Sequence, residues 1–184
     1  MKIEAARAAD LPAIMALRQR LLQEGSWFVA QPDEESIQLG PWQRLLETGI
    51  LRVARQGPLV VGVVMVRPGG LRRQRHVGAL EIFLDEGWRG KGVGRALMED
   101  VLREAPARGV EKLSLAVYAD NLRAVALYKS LGFQEEGHRR GEYRMADGSY
   151  RDDLLMARWL SPPPPPLPAT PPLSDRSSER QSQG

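Results

Sequence analysis

Residues 85–102, DEGWRGKGVGRALMEDVL, place Gly90, Gly92 and Gly94 at alternate positions ahead of a run with helical spacing. Glycine is a poor helix former, so three at a helix start imply a backbone that approaches something closely or turns where a Cβ would clash. The first amides of a helix lack partners inside it, and the aligned peptide dipoles put roughly half a positive charge at that end. Glycines let such amides converge on an anion, and Arg89, Lys91 and Arg95 add positive charge around Val93. The segment therefore suits a phosphate or pyrophosphate. The alternative is a tight strand-to-helix turn with no ligand. Two familiar phosphate loops fail on spacing: a Walker loop would need glycine at Asp85 and Ser or Thr at Gly92, and a dinucleotide fingerprint starting at Gly90 would need glycine at Arg95.

Other chemistry is narrowed by what the chain lacks. It has no cysteine, which excludes disulfides, thiolate metal sites and a covalent acyl-cysteine. His76 and His138 are isolated, and no metal-ligand spacing occurs. Asn121 and Tyr128 are seven apart on an expected helix. At about 100° per residue they share one face two turns apart, so both could touch one extended ligand. A helix N-cap and a core aromatic are the structural alternatives.

The elements that must hold these residues alternate between the two periodicities. KIEAARA reads as a strand, and Asp10 as the cap of a helix to about Glu24 with Leu11, Ile14, Leu17, Leu21 and Leu22 as its apolar stripe. A second helix is expected from Asp33, interrupted near Gly40 and Pro41. ILRVARQ, LVVGVVMVR and HVGALEIFLD follow as strands, the last with Leu80, Ile82 and Leu84 on one face and Glu81 and Phe83 on the other. The glycine segment launches a helix to about Arg108. Then come the strand EKLSLAVYA, the helix DNLRAVALYKSLG, and two strands around ADGS, a hairpin turn. The order β-α-α-β-β-β-α-β-α-β-β predicts a mixed α/β sheet covered by helices.

Length and composition predict one folded domain at 1–160 and an unstructured tail at 161–184, SPPPPPLPATPPLSDRSSERQSQG, with little to bury. The formal net charge is +3, and the one short basic cluster, RRQRH at 72–76, reads as a solvated loop that could touch an anion. No nucleic-acid partner is expected, because a basic face with interleaved aromatics is lacking. No membrane partner is expected either, since no apolar run approaches the roughly 18 residues a span requires. A cytoplasmic location fits the cysteine-free composition, and a homodimer is compatible with it.

RGKGVG matches the Q/R-x-x-G-x-G/A signature of the GCN5-related N-acetyltransferase (GNAT) family through Arg89, Gly92 and Gly94. NLRAVALYKSLGF at 121–133 is similar to that family's N-x-x-A-x-x-L-Y-x-x-x-G-F block. The resemblance covers about residues 1–160. It implies a mostly antiparallel sheet with splayed central strands and acetyl-CoA as donor, with no metal. By position it assigns Gly90, Lys91, Gly92, Val93, Gly94 and Arg95, after Arg89, to the pyrophosphate. It assigns the backbone of Ile82, Phe83 and Leu84, and Asn121, to the pantetheine arm. It assigns Tyr128 to protonating the departing thiolate, a step a phenol can perform without a metal.

The acceptor is then expected to be a primary amine, on a small molecule or a protein N-terminus, acetylated directly in a ternary complex. Its ammonium must lose a proton. Glu81, mid-strand between apolar residues, is a candidate base; a salt-bridged glutamate is the alternative. Glu34 and Glu35, near Trp27 and Phe28, are candidates for holding a cationic amine, or form an ordinary helix N-terminus. Where the family's ribosomal-protein acetyltransferases often carry a glutamate, this sequence has Ala116. The competing class is a non-catalytic acyl-CoA-binding module of the same fold.

Overall fold

The computed structural model of the chain describes residues 1–25, 27–30, 38–162 and 165. Strand β1 (Lys2–Ala5) is followed by helices α1 (Leu11–Glu24) and α2 (Leu39–Thr48) and strands β2 (Ile50–Gln56), β3 (Leu59–Pro68) and β4 (Val77–Leu84). Then come α3 (Val93–Glu104), β5 (Lys112–Tyr118), α4 (Leu122–Ser130), β6 (Gln134–Arg144) and β7 (Tyr150–Trp159). The seven strands form one sheet in the order β1-β2-β3-β4-β5-β7-β6, antiparallel at every pairing except β4 with β5. That is the mixed, mostly antiparallel sheet the sequence predicts, element for element.

The strand pattern of 77–84 decides which core each side chain joins. Leu80, with Ile82 and Leu84 packed beside it, belongs to a core built with Leu97, Met98 and Val101 of α3 and Val125 and Tyr128 of α4. Phe83 belongs to a second core on the opposite face with Leu11, Ile14, Leu17 and Leu21 of α1 and Trp42 and Leu45 of α2. Burying each such side chain contributes about 1.5–3 kcal/mol. The sheet is thus covered on both faces at its centre, while β6 is exposed along almost its whole length.

The one parallel pairing is short. β4 and β5 are in register only at Val77–Lys112, Gly78–Leu113 and Ala79–Ser114. Beyond those pairs the two strands part. β4 stays paired to β3 through Leu84, and β5 to β7 through Tyr118. The centre of the sheet therefore opens as a V toward the C-terminal ends of both strands.

Three local expectations change. Asp10 does not cap α1: its backbone is already helical, its Oδ2 accepts the Arg7 amide (2.9 Å), and its Oδ1 pairs with Arg55 (2.6 Å). A short 3₁₀ turn, Ala8–Asp10, leads into the helix instead. Gly40 and Pro41 do not interrupt α2; they lie in its first turn, where a missing N–H breaks no helical bond. The expected start at Asp33 lies outside the described residues. α3 stops at Glu104, and residues as far as Arg108 form a 3₁₀ turn. β7 ends at Trp159, and the Leu160 amide donates to the Glu111 carbonyl (2.7 Å). Most of the tail from 161 lies outside the described residues.

Candidate functional site

The glycine segment sits at the open end of the V, between β4 and α3. Its entry is held by Asp85, whose Oδ1 accepts the Gly87 amide (3.2 Å). Gly90 (φ 76°) and Gly92 (φ 79°) have left-handed backbone, which side-chain-bearing residues rarely adopt. Gly92 is the residue that starts α3, and no side chain caps the helix. The first helical bond of α3 runs from the Ala96 amide to the Gly92 carbonyl (3.0 Å), so the amides of Val93, Gly94 and Arg95 precede any intrahelical partner. No acidic residue occupies this first turn. The end of the helix is a positively polarised cradle of backbone donors.

The cations around it divide by role. Arg89 turns away from the cradle: its Nε donates to the Leu84 carbonyl (3.2 Å) and its Nη2 pairs with Glu24 (2.7 Å). Arg20 pairs with Asp85 (3.0 Å). Together these bonds fasten the loop to α1 and to the end of β4. Lys91 lies over the Trp88 ring at 5.4 Å. Arg95 donates to Ser130 Oγ (2.7 Å), joining α3 to α4. Arg123, which the sequence reading passed over, lies on α4 against Gly90, so that a Cβ there would collide with its guanidinium. It is exposed and forms no ion pair among the described residues. Only the fold brings it to the loop, although an arginine two residues after the helix-capping Asn121 was a visible signal.

The wall of the V is built as spaced. Ile82 and Leu84 are half-buried on the α3–α4 face, and Phe83 is buried beneath α1. On the side away from β3, the backbone of 82–84 has no strand partner, because β5 has already diverged. A strand edge of this kind accepts an extended ligand by main-chain hydrogen bonds. Asn121 caps α4, its Oδ1 accepting the Ala124 amide (3.2 Å). Tyr128 is buried on the same helix, with its ring tilted against Phe133 at 5.9 Å. Its hydroxyl makes no hydrogen bond to a described residue. Burial, with a further contribution from the charge of Glu81, pushes this phenol well above its ordinary range, so it is a proton donor at neutral pH.

Glu81 takes its salt-bridged alternative. Its Oε1 is bound by Arg18, and its Oε2 lies 3.3 Å from Arg67 Nη2. Arg18 is 9% exposed and stands in the apolar stripe of α1, with its guanidinium 4.9 Å from the Phe28 ring and 5.5 Å from Phe83. An arginine at that spacing among Ile14, Leu17 and Leu21 is the sequence signal that was overlooked.

The face of the sheet carrying Glu81 has a second group around the hairpin of β6 and β7. The Tyr118 hydroxyl donates to the Phe28 carbonyl (3.1 Å), and its ring meets Tyr143 edge-on at 5.2 Å. Arg151 lies over both Tyr118 (5.1 Å) and Trp27 (5.5 Å), and pairs with Asp120 at 3.2 Å. Asp153, opposite Tyr118 and Arg139 in register, is 1% exposed. Trp27 and Phe28 thus join this group, whereas Glu34 and Glu35 lie outside the described residues. The basic run at 72–76 forms an exposed connection between β3 and β4, where His76 stacks on Trp159 at 6.3 Å. Among the described residues no three His, Asp or Glu side chains converge as metal ligands, and no helix is long and apolar enough to cross a membrane.

With this geometry in place, comparison with known proteins is specific. The model of the acetyltransferase (GNAT) family matches residues 15–133. Over 80 residues the chain is 44% identical to the [ribosomal protein bS18]-alanine N-acetyltransferase of Escherichia coli strain K12, covering 44% of this chain and 53% of that one. Over 100 residues it is 33% identical to the L-amino acid N-acetyltransferase AaaT of the same organism, covering 54% and 61%. The chain spans about half the length of the first of these relatives. Among solved structures, a ribosomal-protein-alanine N-acetyltransferase from Brucella melitensis superposes with a TM-score of 0.75 at 27% identity, covering 86% of this chain and 99% of that one. The yncA protein of Salmonella typhimurium, solved with acetyl-CoA, shares the fold at a TM-score of 0.79 and 19% identity, covering 90% and 97%. The family match spans the splayed strands, the glycine loop and the α4 block alike, and the chain belongs to the acetyltransferase (GNAT) family.

Proposed function

We propose that the protein transfers the acetyl group of acetyl-CoA directly to a primary amine. The observation that carries this reading is the V between β4 and β5, open after three paired residues and closed at its mouth by a glycine loop that leads into an uncapped helix start. The V suits an extended arm, and the loop suits the pyrophosphate at the arm's far end. In this reading the amides at 93–95 and Arg123 hold the phosphates, and Arg89 holds the loop. The free strand edge at 82–84 and the Asn121 side-chain amide hold the pantetheine arm.

The chemistry needs proton transfers at nitrogen and at sulfur. The ammonium of the acceptor sheds a proton, and its nitrogen attacks the thioester carbonyl carbon. The C–S bond breaks, and the leaving sulfur takes the phenolic proton of Tyr128, which burial has kept in place; the nitrogen's second proton, lost as the amide forms, restores the phenol. Glu81, with Arg18 and Arg67 on its oxygens, serves in this account to position the α1 wall of the acceptor side rather than to take a proton. Both of the cited relatives carry amine acetylation in their names, one on a ribosomal protein and one on amino acids, which supports an amine as acceptor here.

The test is thiol release from acetyl-CoA with a panel of an alanyl peptide, free amino acids and alkyl amines. Release that depends on an amine is expected. Tight binding of acetyl-CoA without release on any amine would favour a non-catalytic acyl-CoA-binding module.

A further inference from the structure

We propose that Asp153 is the carboxylate that receives the ammonium of the acceptor and takes the proton it sheds, which makes the acceptor a protonated aliphatic amine rather than an arylamine. The inference rests on the acetyl-transfer reading above. Asp153 is 1% exposed, and its Oδ2 has no hydrogen-bond partner among the described residues. A buried carboxylate oxygen with no donor is costly, and such atoms in folded proteins call for an explanation. Local pairing is weak: Tyr143 exerts the smallest pull on this carboxyl. Arg139 Nη1 stays 4.0 Å away, and the same nitrogen is bound at 3.2 Å by Glu142.

The surroundings are those of a cation site. Tyr118 from β5 and Tyr143 from β6 flank Asp153, and Tyr118 with Trp27 already holds a guanidinium, that of Arg151, against its ring. Aromatic faces that accept one cation provide the same attraction to an ammonium. On this face β5 presents Ser114, Ala116 and Tyr118, none of them a carboxylate. Across the V, Glu81 is committed to Arg18 and Arg67. Among the described residues, Asp153 is the buried acid of this face whose oxygen makes no hydrogen bond. Burial pushes its carboxyl up; Arg139 and the Tyr143 side chain pull it down, and Glu142 pushes it up again. That direction brings a carboxylate nearer to the working range of a general base. A protonated amine brings a charged donor to an oxygen that has no hydrogen-bond donor among the described residues, whereas an arylamine, neutral at pH 7, does not. One proton passes from the ammonium to Asp153 and then to solvent; Tyr128 protonates the sulfur and regains its proton from the nitrogen, which loses its second proton as the amide forms, so that charge and atoms balance.

The test is Asp153→Asn in the full chain, with an alkyl amine or alanyl peptide that the wild type acetylates. The expected result is a fall of at least about tenfold in kcat/KM, loss of the acid limb of its pH profile, and an unchanged Kd for acetyl-CoA. Folding gives a readout of opposite sign. A carboxyl with a raised folded pKa destabilises the protein increasingly as pH rises through that range. The variant should therefore melt higher than wild type at pH 7 and lose this advantage toward pH 4. Unchanged kcat/KM, or a variant that melts lower at pH 7 and loses acetyl-CoA affinity together with activity, would overturn the assignment. Equal wild-type turnover of an arylamine and an alkyl amine would overturn the substrate class. A wild type that binds acetyl-CoA but releases no CoA with any amine would instead defeat the acetyl-transfer reading itself.

Discussion

Tyr128 separates binding from chemistry. Phenylalanine there keeps the ring against Phe133 and removes the dissociable proton. Because the hydroxyl bonds no described residue, Tyr128→Phe should leave the melting temperature unchanged within a degree or two. Its kcat should fall at least about tenfold, since a general acid contributes about 10²–10⁴-fold. Steady-state kinetics with acetyl-CoA calorimetry on the one variant check this, and an unchanged kcat would remove Tyr128 from the mechanism. Gly92→Asp places a side chain at φ 79° and a negative charge at the helix start. Its affinity for acetyl-CoA should drop more than tenfold, about 1.4 kcal/mol. Arg123→Gln should weaken binding by a smaller factor and flatten its salt dependence. At this scale the sequence disclosed residues whose partners are close in the chain. Tyr128 and Asn121 share a helical period, and the three glycines are contiguous with their helix. Asp153 was illegible because its meaning comes from strands far away in the chain, and Arg123, although visible beside Asn121, owes its place at the loop to the fold. Asp152 and Asp153 look alike in sequence, yet Asp152 accepts the Gly141 amide (2.7 Å) at the surface while Asp153 is buried.

Among the elements, the V and the tether of its loop carry the account. Arg89 does not face the cradle, so Arg89→Ala tests the tether rather than the phosphate contact. Losing its bonds to Leu84 and Glu24 should cost about 1 kcal/mol of stability. The KM for acetyl-CoA should rise several-fold while kcat holds at saturation, and denaturant titration with kinetics distinguishes this from a direct contact. The order of elements was legible because period-2 and period-3.6 runs alternate cleanly along the chain. Their ends were less so. Asp10 has the residue type of a cap, but Arg55 on β2 claims its side chain. Pro41 has the residue type of a breaker, but it falls in a first turn, where proline is tolerated. The early parting of β4 and β5 has no period at all; it followed only from the family resemblance.

For the whole molecule, two cores lie on opposite faces of one sheet, and among the described residues none of their members comes after Leu160. A chain ending at residue 160 should keep its melting temperature within a few degrees and its turnover, because the residues removed offer little apolar surface to bury. A large loss of either would mean that the proline-rich segment packs on the domain. The central claim is that acetyl-CoA lies in the V with its phosphates on the loop. Amide hydrogen exchange with and without acetyl-CoA tests it most directly. The account predicts new protection at 82–84 and at 92–95, with β1 and β2 unchanged. Saturating acetyl-CoA that leaves both segments exchanging as before, or that protects a different face of the sheet, would contradict it.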